Sequence, residues 1–106
     1  MLFMMLVLAD TTPDAEPDDS DVELWVDALD ATGQRVVGDI LDPSEAKDLR
    51  VRAGEHHVTD GPSEATAELW GFDILECTDF DEALELAARH PMARNGRLEL
   101  RPFPQE

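Results

Sequence analysis

The sequence has little positive charge, one cysteine and no long apolar run, and each shortage excludes a class of protein. Eight Lys and Arg residues stand against 25 Asp and Glu residues, which gives a formal net charge of −17 over 106 residues. Phosphate backbones and anionic lipid surfaces both require clustered cations, so we expect neither nucleic acid nor a membrane as a partner. The acidity is typical of a soluble protein that repels itself at low ionic strength and is stabilised by added salt.

A single cysteine, Cys77, excludes a disulfide within the chain. It lies in an apolar run, where a buried and inert thiol is expected. The opening MLFMMLVL is too short to cross a bilayer, and it lacks the basic residues and cleavage site of a signal peptide. We read that run as a buried strand and predict a cytoplasmic protein. The sequence has no Gly-rich phosphate loop, Ser-centred elbow or Cys-x-x-Cys, and we predict no cofactor.

Apolar periodicity predicts four main strands and two helices, within one domain spanning residues 1–106. Residues 2–8 and 69–77 are apolar on both alternating faces, and strands of that kind must be covered on both sides. In the second of them, Trp70, Phe72 and Ile74 are predicted to face one way, and Leu69, Leu75 and Cys77 the other. A loop is predicted over 10–19, followed by a helix that Ser20 caps and that ends before Gly33. Strand 35–41, with a bulge or close backbone approach at Gly38, and a hairpin of 48–52 and 56–59 come next. A second helix is capped by Asp79 and ended by Pro91, and a turn at Asn95-Gly96 leads into strand 97–101.

This order of elements predicts a ferredoxin-like α+β domain, with βαββαβ topology and an extra hairpin. The first and third main strands are central in that topology, which suits residues 2–8 and 69–77. Two helices cover one face of such a sheet. We therefore expect a second copy of the chain to cover the other face, in a homodimer.

The polar residues with most chemical potential lie at the end of the hairpin. Asp60 could act as a general base or as a ligand-binding carboxylate; it could also cap its turn by accepting backbone N–H groups beside Gly61, and the two roles are compatible. His56 shares strand parity with Asp60 and is the better acid–base partner, whereas His57 points to the opposite face. The alternative is a pair of exposed strand histidines without a role. Adjacent histidines diverge, so no metal site is predicted.

Three further side chains have both a functional and an ordinary interpretation. Trp25 and Trp70 could line a ligand pocket, and each also fits an apolar core position. His90 follows the second helix, where a cation suits the helix dipole, and we interpret it as a C-terminal cap.

Several short motifs are similar to those of a known family. The motifs are Thr59-Asp60-Gly61-Pro62, Gly71-Phe72, Asp81-Glu82-Ala83 and Glu99-Leu100-Arg101-Pro102, together with Trp25, Leu29, Gly33, Gly38, Leu41 and Pro43. With them the chain resembles the YCII-related domains, in particular the DGPF branch. The resemblance implies the dimeric α+β barrel fold and a cleft where some relatives use a His–Asp pair. At least one relative eliminates chloride from an aromatic substrate.

The chain departs from the family pattern at positions that matter for chemistry. Ser63 stands where the family has Phe, the Lys that usually follows is missing, and the first helix has no histidine. These departures favour a small dimeric module that binds a small molecule or acts as an accessory protein. The alternative is a cofactor-free lyase or isomerase that uses Asp60 and His56 as an acid–base pair on a small organic acid or phenol.

Overall fold

The computed structural model describes residues 1–10 and 19–105, so most of the predicted loop over 10–19 lies outside the described residues. The described elements are β1 (Leu2–Ala9), α1 (Asp19–Thr32), β2 (Arg35–Ile40), β3 (Lys47–Arg52), β4 (Glu55–Asp60), β5 (Leu69–Glu76), α2 (Phe80–Ala88), α3 (Met92–Asn95) and β6 (Gly96–Pro102). Short 3-10 turns, Pro43–Glu45 and Glu64–Thr66, flank the β3–β4 hairpin. None of the described helices is long and apolar enough to cross a membrane.

Four strands form an antiparallel sheet in the order β2-β5-β1-β6. The predicted central position of β1 and β5 is therefore confirmed, as is the ferredoxin-like α+β class with an extra hairpin. The physical reason is the one read from the sequence. A strand that is apolar on both faces is most stable where strands pair with both its edges and other layers of the protein cover both its faces.

Both long helices pack on the same face of the sheet, as predicted. The largest fully buried side chains are Phe3, Met5 and Leu75. They belong to a core that continues into α1 and α2 through Trp25, Leu29, Ala83, Leu86 and Ala87. The two helices are also joined directly, because the Trp25 indole N–H donates to the Leu86 carbonyl over 2.9 Å. At the start of α2, the predicted cap is present: the Glu82 N–H donates to Asp79 Oδ1 over 2.8 Å.

Several local predictions are wrong. Ser20, predicted to cap the first helix, lies inside α1, which begins at Asp19. The predicted turn at Asn95-Gly96 is instead the end of the short helix α3 and the first residue of β6. Strict alternation in β5 also fails at its start, since the β1–β5 register shifts between Val7 and Leu8 and places Leu69 opposite Leu8. Leu69 therefore shares a side with Leu8, and not with Leu75 and Cys77. A bulge of this kind is a local event that apolar periodicity does not reveal.

His90 is not the charged cap that its position suggested. Its side chain is buried, and its Nδ1 accepts a hydrogen bond from the Met92 N–H over 2.9 Å. The ring packs edge-on against Trp25, with centroids 4.6 Å apart. Burial lowers the pKa of His90 to about 4, so the imidazole is neutral at pH 7 and carries no charge for a helix dipole.

The side of the sheet away from the helices, called here the open face, is apolar and only partly covered. Met4, Leu6, Phe72 and Ile74 are half-buried there, and Val37 beside them is exposed. Residues 47–60, called here the arm, form a separate two-stranded sheet whose residues are all exposed except Asp48. The radius of gyration, 15.8 Å, exceeds the roughly 13 Å of a compact domain of this length. One protomer thus leaves much apolar surface without a layer over it.

Candidate functional site

The arm is a hairpin with a two-residue loop, and this loop fixes which side chains share a face. Ala53 and Gly54 both have positive φ, 51° and 79°, as the tightest hairpin turn requires. The resulting register pairs Leu49 with Val58 and Val51 with His56. Residues directly opposite in a sheet lie on the same face, so one face of the arm carries Lys47, Leu49, Val51, His56, Val58 and Asp60.

Asp60, the main candidate, lies at the base of the arm and forms an ion pair. Lys47 Nζ donates to Asp60 Oδ1 over 2.6 Å, and the two side chains are 66% and 85% exposed. Lys47, the one lysine of the chain, thus places a positive charge beside Asp60. The sequence contained the signal, because Lys47 and Asp60 are equidistant from the Ala53-Gly54 loop. At this exposure the pair contributes little to stability.

His56 lies on the same face as Asp60, as strand parity predicted, but the two side chains are not neighbours within one protomer. They are four positions apart along β4, which corresponds to about 13 Å between their Cα atoms. Val58 lies between them, and His57 is on the opposite face. The proposed acid–base roles of Asp60 and His56 stay predictions.

A shallow apolar cavity lies between the base of the arm and the end of the main sheet. The Gly61 N–H donates to the Ala46 carbonyl over 2.8 Å and closes the base of the arm, and Gly61 takes a φ of 92° to do so. The cavity has a volume of about 120 Å³ and is lined by Leu41, Asp42, Pro43, Ala46, Pro62, Thr66 and Leu69. Since Ala46 precedes Lys47 and Pro62 follows the Asp60-Gly61 turn, the ion pair adjoins this cavity.

The polar groups among these lining residues already have partners. Asp42 Oδ1 accepts hydrogen bonds from the Ser44 hydroxyl and the Ser44 N–H, over 2.6 and 2.9 Å. These bonds lower the pKa of Asp42, which holds the 3-10 turn after β2. The Thr66 hydroxyl lies 3.2 Å from the Ser63 hydroxyl. The cavity therefore offers an apolar wall, and Lys47 and Asp60 lie within two positions of its lining residues Ala46 and Pro62 in the chain.

The two tryptophans have different environments. Trp25 is buried in the core between α1 and α2, at the helix-covered side of the sheet. Trp70 is 50% exposed at the start of β5, next to Leu69 of the cavity lining. Its carbonyl accepts from the Leu41 N–H over 2.8 Å, which ties the two walls of the cavity together. Of the two, Trp70 is the one with an exposed side chain, and neither is among the residues that line the cavity.

An ionic cluster around the buried carboxylate of Asp73 was not predicted from the sequence. Arg35 Nε donates to Asp73 Oδ1 over 2.7 Å, and its Nη1 donates to Asp30 Oδ1 at the end of α1 over 3.2 Å. Burial raises the pKa of the Asp73 carboxyl, and the bond to Arg35 opposes this effect. Gly38 leaves room for the carboxylate, since a Cβ there would collide with Asp73 Oδ1 and would lie 2.7 Å from the Phe72 carbonyl oxygen. An Asp in an otherwise apolar strand, beside a strand glycine, was the available signal.

Metal and thiol chemistry find no support among the residues that the structure describes. No three His, Cys, Asp or Glu side chains within residues 1–10 and 19–105 come together in a way that could hold a metal ion. Cys77 is buried, and burial raises the pKa of its thiol, which keeps it protonated.

Comparisons with known proteins complete the description of the site. A family model described as YCII-related domain matches residues 1–104. Among solved structures, the chain is similar to 5-chloro-2-hydroxyhydroquinone dehydrochlorinase from Burkholderia phenoliruptrix AC1100, in complex with 2,5-dihydroxybenzoquinone. The identity is 13% and the TM-score 0.44, with 100% of this chain and 96% of that chain covered. No curated protein matches the sequence.

Proposed function

Since the chain belongs to the YCII-related domain family, we propose that it is a homodimeric module that binds a small organic molecule at the base of the arm. The observation that carries this proposal is the apolar cavity of about 120 Å³ next to the Lys47–Asp60 ion pair. Ligand sites combine an apolar wall with a few polar groups that orient the ligand. The cavity and the pair supply these two components on adjacent residues.

The class of ligand is inferred from the size of the cavity and from the polar groups of Lys47 and Asp60. A closed cavity of about 150 Å³ holds one benzene ring, so this smaller and shallow one would cover part of a single small ring or a short branched acid. Lys47 bonds one Asp60 oxygen, and the carboxylate retains acceptor capacity at the other. The ammonium group has further donors for a carboxylate or phenolate. A small phenol or hydroxy acid matches this combination.

The proposed homodimer forms through the open face. Two molecules of charge −17 repel each other, so stable contact requires a surface where acidic residues are scarce or balanced. On β6, Arg97 and Arg101 lie on the open face with Glu99, and Asp39 on β2 and Glu76 at the end of β5 lie on the same face. Apolar side chains on the two central strands lie between them. A second copy laid over this face covers the apolar surface, and the arginines offset two of the three acids there.

The test of the ligand site is a binding screen with a matched pair of variants. We expect the wild type to bind at least one member of a panel of small phenols and hydroxy acids in a calorimetric titration. Asp60→Asn removes the charge-assisted acceptor and should weaken that binding by about tenfold or more. Asp48→Asn removes an equal charge from the opposite face of the arm and should leave binding unchanged. Equal weakening in both variants, or no binding by the wild type, contradicts the proposal.

A second candidate, the cofactor-free lyase or isomerase, gains one supporting observation. Lys47 supplies, 2.6 Å from Asp60, the positive charge that the local sequence after the Asp-Gly-Pro turn lacks. Acid–base catalysis also needs a second titrating group within about 3 Å of the transferred proton. Turnover of a phenol or hydroxy acid that Asp60→Asn abolishes, while binding persists, would favour this enzyme over the binding module.

A further inference from the structure

The arm has two strand edges that no described strand occupies, one along β3 and one along β4. β4 pairs with β3 on one side. In a hairpin with a two-residue loop, the residues that flank the loop, Arg52 and Glu55, exchange hydrogen bonds with each other. Alternation then directs the N–H and C=O groups of His56, Val58 and Asp60 away from β3. An exposed edge of this kind is a template for pairing with another strand, and an isolated hairpin is marginal in water.

The charge of the arm identifies the partner as a second copy of the chain. Residues 47–60 contain three basic residues (Lys47, Arg50, Arg52) and three acidic ones (Asp48, Glu55, Asp60), so the arm is neutral in a chain of charge −17. A basic partner would be attracted to the acidic surface of the rest of the chain and not to the arm. An arm without net charge instead suits a partner that is itself acidic, because two such arms meet without bringing net acidic charge together.

We propose that β4 pairs antiparallel with β4 of a second copy, with Val58 at the two-fold axis. This register places all three outward residues in hydrogen-bonded pairs: His56 with the partner's Asp60, Val58 with the partner's Val58, and Asp60 with the partner's His56. A register centred on His57 places Asp60 opposite the loop residue Gly54. One centred on Thr59 places His56 opposite Pro62, which has no N–H to donate.

The pairing completes a site that one protomer lacks. The partner's His56 lies beside Asp60 on the same face, where Lys47 already bonds the Asp60 oxygen Oδ1. Each Asp60 thus has a lysine from its own chain and a histidine from the other. The inference builds on the proposed function by adding the partner's titrating group to the ligand site, and its test requires no ligand.

The register predicts one specific disulfide. His57 faces the partner's Thr59 in a pair without mutual backbone bonds, where Cα atoms lie about 4.5 Å apart, within disulfide range. His57→Cys and Thr59→Cys chains are unfolded together, refolded as a mixture and oxidised. We expect a disulfide-linked dimer in the mixture and none in either variant alone or in the wild type, whose Cys77 is buried. No link in the mixture overturns the pairing, and an equally strong link within one variant alone overturns the register.

A second pair of variants separates arm pairing from the sheet contact and from ligand binding. Val58→Lys places two like charges opposite each other at the axis, and should lower the yield of the cross-link about tenfold. Leu49→Lys makes the same change on β3, away from the axis, and should lower it much less. Equal losses contradict the inference. If the cross-link forms while no phenol or hydroxy acid binds, the proposed function fails and the arm pairing stands.

Discussion

Two neighbouring residues of β5, Leu75 and Ile74, have opposite environments although both are large and apolar. Leu75 is fully buried under the helices, whereas Ile74 lies half-buried on the open face. The sheet has apolar side chains on both faces, but the helices of the chain cover only one of these faces. The difference teaches that the covered face is a property of the protomer, whereas the open face is suited to a layer that the protomer does not contain.

The largest expected effect distinguishes these two faces. Leu75→Ala removes contacts from a closed core and should lower the free energy of unfolding by about 2–5 kcal/mol at every protein concentration. Ile74→Ala should cost less in dilute protein and more as concentration rises, because the proposed homodimer would bury Ile74. Urea unfolding at several protein concentrations, with light scattering for the mass, measures both. A loss for Ile74→Ala that is independent of concentration, or a wild-type monomer at micromolar concentration, would refute the sheet-face dimer.

The second prediction concerns the covered side and its neutral histidine. The pKa of His90 is lowered to about 4, so the unfolded chain takes up a proton near pH 6.5 while the folded one does not. His90 therefore contributes stability that is fully present above pH 6.5 and is lost as pH falls toward 4. Its full value is about 3 kcal/mol, because each unit of pKa difference corresponds to about 1.4 kcal/mol.

The measurement is the dependence of urea unfolding on pH between 4 and 7. His90→Gln retains an acceptor for the Met92 N–H but has no proton to gain, so its stability should fall less than that of the wild type. His57→Gln, on the exposed arm, is the matched control and should follow the wild-type curve. Parallel curves for His90→Gln and the wild type would show that His90 does not contribute this dependence.

The third prediction tests the fit around the buried ion pair. Gly38→Ala places a methyl group 2.7 Å from the Phe72 carbonyl oxygen and against the Asp73 carboxylate. We expect a loss of about 1–3 kcal/mol in thermal or urea unfolding, as for other overpacked sites. Ile40→Ala, two residues further along β2 and 84% exposed, should change stability far less. Similar values for the two variants would mean that the sheet yields locally around Asp73.

The smallest expected effect lies in the arm. Ala53 has a φ of 51°, a conformation that costs L-residues about 1–2 kcal/mol, so Ala53→Gly should stabilise the hairpin by about 0.5–1 kcal/mol. Amide hydrogen exchange of β3 and β4 reports this locally. The control is Ala46→Gly at the base of the arm, where φ is −69° and glycine brings no relief. Slower exchange in both variants, or in neither, would count against strain at Ala53.

Much of the fold followed from local patterns. Strands apolar on both faces had to be central, and Asp79 with Glu82 predicted the start of α2. The bulge that moves Leu69 and the burial of His90 were not predictable from periodicity, because each depends on what lies across from the residue. Of the candidate site, Asp60 was found from its turn, and its partner Lys47 was missed although the hairpin register implied it.

The sequence by itself determined which strands are central, which helices cover them and that acidic charge dominates the chain, because these depend on residue type and spacing. Only the tertiary structure decided that Trp25 is buried while Trp70 is half exposed, that Arg35 reaches Asp73, and that a cavity adjoins the Asp60 turn. Those features depend on distances between residues far apart in the chain. Periodicity gives the face of each side chain, and packing alone gives the neighbour it meets there.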